Sequence, residues 1–443
     1  MASRRFVLDN ALIVNEGRQF VGHVIINGQF IETVGCGLYN GHLKTVENLG
    51  GKLLIPGVID THVHFREPGL THKATIRTES IAAAAGGVTS YIDMPNCKPT
   101  TTTQEALEEK FNIAVENSYV NYSFYIGATE DNIDTLRNID YTSVPGIKLF
   151  LGQSTGDMRV SGSEHLDEIF SLPQIVSVHS EDQGIIDANM AHYREMFPDG
   201  NIPMVCHPLI RSAQACLKCT EEAVARAEEN GTHLHLLHVS TAEEASLFRN
   251  NSIVPEEKNL TSEVCVQHLW FSAKDYHKLG SHIKCNPAIK GPHHRRALRQ
   301  AVANGFIDVV STDHAPHTRK EKEGGMNAPS GMPMIQFSLQ AMIDLSIWGY
   351  FSLERVVEVM CHNPARLFAI DRRGFIRPGY YADLAVVDMH RMYIVTADKV
   401  LSKCGWSPFE GTTFRTTVVA TYVNGKKPSP KTAMPLKFVH RFY

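Results

Sequence analysis

A chain of 443 residues is long enough to bury one large core or several smaller ones. Its 43 Lys and Arg against 47 Asp and Glu leave a formal net charge of −4, which excludes a general electrostatic attraction to nucleic acid or an anionic membrane. Nine scattered cysteines suit reduced thiols rather than a disulfide framework, and 22 histidines make metal or acid–base chemistry worth pursuing.

The first ten residues, MASRRFVLDN, lack the apolar core of a signal peptide, and no apolar run reaches membrane-spanning length. The expected address is therefore the cytoplasm. Residues 1 to about 53 read as short β runs, FVLDNALIV, FVGHVIING and FIETVGCG, separated by Gly and Asn turns. The same texture returns after Gly374 with YYADLAVVDM, MYIVTA and TTVVATYVNGKK, the last carrying an Asn-Gly hairpin signal. Neither end has enough apolar surface for a core alone, so residues 1–53 and 371–443 are expected to form one small β-sandwich-like domain.

Between them, residues 54–370 alternate short apolar strands with amphipathic helices, the pattern of βαβ units and a parallel sheet. The predicted strands are 53–60, 88–94, 122–128, 146–151, 175–179, 234–239, 262–268 and 308–312, with helices such as 103–118 and 242–250 between them. Cys216 and Cys219 form a CxxC inside a helical pattern and are read as packing residues.

Eight such units predict an α/β fold of the (β/α)8 TIM-barrel type, whose chemistry sits at the C-terminal strand ends. Polar residues fall there: His62 and His64 after the first strand, Asn96 after the second, Lys148 in the fourth, then His179, His238 and His268, and Asp313 after the eighth.

His62 and His64 lie two residues apart on an extended segment, which lets both imidazoles face one ion. Four histidines, a lysine and an aspartate exceed the needs of one tetrahedral zinc and suit two ions with a shared bridge. A protonated lysine cannot ligate, but Lys148 carboxylated by carbon dioxide could supply an oxygen to each. Two such ions would make a hydroxide available at neutral pH, with Asp313 as the proton carrier. These parts suit hydrolysis of an amide or ester, or its reverse.

The segments HVHFREPG, MPN, GIKLF, VHSED, HVS, NPAIK and TDHAPH together resemble the amidohydrolase superfamily, and within it the dihydroorotase branch. The resemblance runs nearly the full chain. It implies one zinc held by His62, His64 and Asp313, a second by His179 and His238, and carboxylated Lys148 between them with a hydroxide bridge. Arg66, Asn96, Asn286 and His317 match the family's substrate positions. The implied reaction is the reversible cyclisation of N-carbamoyl-L-aspartate to (S)-dihydroorotate in pyrimidine synthesis, by a homodimer whose partner is a small-molecule substrate.

Ser154 or Thr155 matches a loop that closes over substrate in the family, and 324–333 reads as a mobile loop whose backbone could meet the ring amide. His268 is expected behind the ligands rather than among them. The cluster His293 to Arg296 and the run KEKE at 320–323 are read as solvated charge. One rival reading is an allantoinase or hydantoinase with the same ligands, against which Arg66 and His317 argue because they suit a free carboxylate. The other is a non-catalytic barrel scaffold, against which stands the complete set of expected ligands.

Overall fold

The computed structural model describes residues 5–152, 158–248 and 254–439, so the predicted contact at Ser154 or Thr155 lies outside the described residues. Strands β1 (Arg5–Asn15), β2 (Arg18–Asn27) and β3 (Phe30–Cys36) form an antiparallel meander, and β4 (Val46–Asn48) and β5 (Leu53–Pro56) run parallel to β1. Next come β6 (Val58–Val63), β7 (Val88–Asp93), β8 (Asn121–Phe124), β9 (Ile126–Gly127), β10 (Ile147–Phe150), β11 (Val176–His179), β12 (Leu234–Leu236), β13 (Leu260–Cys265) and β14 (Val309–Ser311).

Every pairing from β6 to β14 is parallel. β8 pairs with β7 and β9 with β10, so these two short pieces act as one strand and the count is eight. Val63 opposite His314, with His64 N donating to His314 O at 2.8 Å, joins the last strand end to the first. The result is a (β/α)8 barrel. Its strands are buried at almost every residue, as expected where helices cover one face and the packed barrel interior fills the other.

β15 (Leu384–Asp388) pairs antiparallel with β5 and with β18 (Thr417–Tyr422), while β16 (Tyr393–Ile394) and β17 (Thr413–Phe414) make a separate small ladder. Both ends of the chain thus enter one seven-stranded sheet, the β-rich domain that accompanies the barrel. Its core mixes Leu8, Ile13, Val24 and Ile26 with Leu384, Val386 and Tyr422, so each half buries the other.

Several local expectations change. The run 53–60 is two strands rather than one: Leu53–Pro56 joins the terminal sheet and the barrel strand starts at Val58. An unbroken apolar run carries no mark of which sheet takes it. The run 262–268 is strand only to Cys265, after which Val266–Trp270 is helical and carries His268 away from the strand. The helix expected over 242–250 is a single turn, Ala242–Ala245. His294 is buried rather than solvated, its Nδ1 accepting from Ala242 N at 3.0 Å. Lys322 of the KEKE run is fully buried in the helix Arg319–Lys322. By contrast the helix Gln104–Asn117 matches its pattern, with Thr103 Oγ1 capping Ala106 N, and Cys216 and Cys219 are buried on the helix Ala213–Asn230. Among the described residues no helix is long and apolar enough to cross a membrane.

A buried polar joint fixes the barrel to the terminal sheet. Arg373 pairs with Asp383, whose carboxylate also accepts from Asn424 N at 2.7 Å and from Asn121 Nδ2 at 3.2 Å on β8. Asp383→Ala strands the buried guanidinium, so unfolding stability is expected to fall by about 3–5 kcal/mol. Urea denaturation checks this; an unchanged midpoint would show that the joint contributes nothing.

Candidate active site

The C-terminal ends of the barrel strands open on a cavity of about 310 Å³, a usual size for a small-molecule site. The structure brings all ten expected residues to its wall: His62, His64, Arg66, Asn96, Lys148, His179, His238, Asn286, Asp313 and His317. His268 is not among the lining residues; it is buried, with Nε2 3.1 Å from Pro287 O. Three of the ten have left-handed backbones without being glycine: Arg66 at φ 68°, His238 at φ 40° and Asp313 at φ 45°. Such strain persists only where the surroundings impose it, and it often marks a functional site.

The surroundings here are specific. Asp60 on β6 accepts from His62 N at 3.3 Å, from Thr312 N at 3.2 Å and from Thr312 Oγ1 at 2.6 Å. It therefore pins the His62 segment to the Asp313 segment. Asp93 at the end of β7 accepts from Phe65 N at 2.8 Å and is paired with Lys110, which fixes the turn that leads into Arg66. Gly69 completes that turn at φ 81°, where a Cβ would sit 1.8 Å from Lys98 O. Only glycine fits there. His314 ties the other turn: its Nε2 lies 2.8 Å from Glu79, and its Nδ1 accepts from Met334 N at 2.9 Å.

The tautomers of the first two histidines follow from their partners. His62 Nδ1 donates to Glu263 Oε1 at 2.8 Å, and His64 Nδ1 donates to Asn96 Oδ1 at 2.7 Å. In neutral rings both Nε2 atoms then carry lone pairs. Those lone pairs face Asp313 Oδ1, at 3.4 Å from His62 and 2.9 Å from His64. Burial pulls the His64 pKa down and so favours its neutral ring. Three acceptors converging without a proton between them are a site for a cation, and their ligand atoms lie within 4.8 Å of one another.

Beside them His179 Nδ1 stands 2.9 Å from His238 Nε2, and burial pulls both rings below the ordinary histidine range. Lys148 on β10 is 1% exposed, its Nζ makes no hydrogen bond among the described residues, and it lies 4.4 Å from the centre of the Phe150 ring. Burial brings its pKa down to about 7, against the opposing pull of Asp313 and Glu263. Such an amine is available in its neutral form, the species that adds to carbon dioxide. The donor set and the orphaned Lys148 fit two divalent ions with a carboxylated lysine between them.

The other wall is cationic. Arg66 Nε donates to Pro316 O at 3.1 Å and its Nη2 lies 2.9 Å from His317 Nε2. Asn286 Oδ1 accepts from Ser330 Oγ at 2.9 Å. The segment Pro329–Gly331 lines the cavity, but its backbone is less free than a mobile loop's. Lys322 Nζ donates to Pro329 O and Gly331 O, each at 2.8 Å, and Gly331 N donates to Lys284 O at 2.9 Å. Gly331 has φ 127° and could not carry a Cβ, which would stand 2.6 Å from Ala315 O. Asn96, expected at substrate, is hydrogen-bonded to His64 and so also orients a ring.

Four residues escaped the sequence reading. Glu263 on β13 orients His62, accepts from Thr61 Oγ1 at 3.2 Å and from His238 N at 3.3 Å, and has its pKa held low by His62 and His235 against burial. Asp60 and Lys322 act as described. Arg211 reaches the cavity wall and pairs with Glu181, whose carboxyl it holds down at about 2 in spite of burial. Glu181 stood in the VHSED segment and could have prompted a search for its partner; nothing local marked Arg211.

Residues 53–427 match the amidohydrolase family. A dihydroorotase of Methanosarcina acetivorans is 34% identical over 399 residues, 88% of this chain and 84% of that protein. An allantoinase of Bacillus velezensis is 30% identical over 428 residues, 95% of this chain and 93% of that protein. Among solved structures, the L-hydantoinase (dihydropyrimidinase) of Arthrobacter aurescens has a TM-score of 0.91 at 26% identity, covering 98% of this chain and 99% of that one. From the family match over most of its length, the barrel and these relatives, it follows that the chain belongs to the amidohydrolase family.

Proposed function

We propose that the chain is a dihydroorotase, interconverting N-carbamoyl-L-aspartate and (S)-dihydroorotate in pyrimidine synthesis. The observation that carries this reading is the pair Arg66 and His317 on the cationic wall of a cavity whose other side holds the converging histidines and Asp313. A guanidinium and an imidazole at one place suit a substrate with a free carboxylate beside the bond that reacts. The dihydroorotase likeness at 34% identity supports the same substrate.

His62, His64 and Asp313 would hold one zinc ion and His179 and His238 a second, with Lys148 carboxylated between them. When bound, such a pair supplies Lewis acidity to the ring carbonyl and lowers the pKa of water. The protein's own groups do the remaining work. Arg66 clamps the carboxylate and so fixes the ring against the histidine cluster. Pro329–Gly331, tied down by Lys322, forms the wall that keeps bulk water from the ring. Asp313 takes the proton from the attacking water and delivers it to the departing ring nitrogen. In the direction of ring closure it takes the proton from the attacking nitrogen.

A second reading, an allantoinase or hydantoinase, is favoured by the structural likeness to the Arthrobacter hydantoinase. Arg66→Gln separates the two. On the dihydroorotase reading KM for dihydroorotate rises by roughly 10²-fold, because a charge-assisted contact made throughout the reaction is lost. Ring opening of dihydrouracil, which has no carboxylate, is expected to be unaffected. Equal losses on both substrates would remove Arg66 from carboxylate recognition.

A further inference from the structure

Lys73 is not a lining residue of the cavity, yet its ammonium lies 2.9 Å from His317 Nδ1. An ammonium has only donors, so Nδ1 accepts and the ring proton sits on Nε2. Nε2 is 2.9 Å from Ser330 O, an acceptor, in agreement with that tautomer. The contact of 2.9 Å between Nε2 and Arg66 Nη2 then sets donor against donor. A negatively charged acceptor placed at both groups relieves that opposition, drawing the Nε2 proton away from Ser330 O.

The surroundings reinforce this form. Burial first, then the charges of Arg66, Lys73 and Lys322, keep His317 far below the ordinary histidine range and hence neutral. Lys73 is itself positioned by Glu321, whose Oε1 is 3.1 Å from Nζ and whose Oε2 accepts from Thr318 N at 2.8 Å. His72 also reaches Glu321 Oε1, at 3.5 Å, and Lys98 is the remaining cation that acts on Lys73. Trp406 Nε1 donates to His317 O at 2.7 Å and fixes the backbone of the ring.

We propose that Lys73 is a positioning residue for substrate recognition: it pins His317 in the Nε2–H form, so that His317 and Arg66 present converging donors to the substrate's carboxylate. The identity of that carboxylate rests on the dihydroorotase reading; the tautomer does not.

The test therefore has two arms. Imidazole 15N spectra of the wild-type protein, with His317→Gln to assign the signal, are expected to show His317 protonated at Nε2 alone, and Lys73→Met is expected to introduce the Nδ1–H form. A wild-type ring protonated at Nδ1 overturns the proposal, whether or not the variant folds. In kinetics, Lys73→Met is expected to raise KM for dihydroorotate about tenfold while kcat and metal content change little. Unchanged KM in the variant would likewise overturn it. If the wild type does not turn over dihydroorotate, the functional reading fails and the spectra alone decide the role of Lys73.

Discussion

Lys148→Ala is expected to lose bound zinc and to lower turnover on the order of 10³-fold or more, while leaving the fold as stable as before or more so. The two signs differ because they come from different states of one side chain. An unpartnered amine inside a barrel strand costs stability, since nothing among the described residues accepts its hydrogens. The proposed carboxylation would supply it with a function. On the proposed reading the neutral amine would add through its lone pair to the carbon of carbon dioxide and release a proton, which would turn a poor neighbour for His179, His238 and Asp313 into an anionic one. Removing the side chain removes both the cost and the bridge. Short carboxylic acids added to the variant are expected to restore part of the activity by occupying the vacated place. Metal analysis of the purified variant checks this, and a full complement of zinc without any added acid would count against the bridge.

Asp313→Asn is expected to reduce kcat by about 10⁴-fold, the upper end for a positioned acid–base group. The substitution keeps the size of the side chain but replaces the carboxylate oxygen that faces His64 Nε2 at 2.9 Å and His62 Nε2 at 3.4 Å. An amide there can present a hydrogen to those lone pairs, which satisfies them without a cation and so weakens metal binding as well. Stopped-time assays on protein shown to be folded and loaded with metal separate the two losses. Wild-type turnover in that sample would take the proton-carrying role away from Asp313.

What could be read in advance, and what could not, follows from how each residue announces itself. His62 and His64 were legible because an HxH pair after an apolar strand has a spacing that chemistry uses, and Lys148 because a charge in an apolar strand has no cheap structural use. All three reach the same cavity. Glu263 was not legible, although it holds His62, because a carboxylate within SEVCVQH looks like any strand residue until the closed barrel brings β13 within reach of His62 on β6. Lys322 misled for a related reason. Four alternating charges read as a solvated loop, yet this one ammonium is buried among the carbonyls of Lys284, Pro329 and Gly331, partners that become neighbours only in the folded chain. The run LLIPGVID shows the limit for secondary structure. Its apolar character is right for both sheets, and the change at Gly57 is decided by pairing with β15 at one end of the chain's order and β7 at the other.

The dihydroorotase reading is tested most simply by the rate of dihydroorotate ring opening by protein supplied with zinc and bicarbonate, with allantoin and hydantoin run in parallel. Turnover of dihydroorotate in clear preference to the other two is expected. Turnover of allantoin or hydantoin alone, or of none of the three by protein that holds about two metal ions per chain, would contradict it.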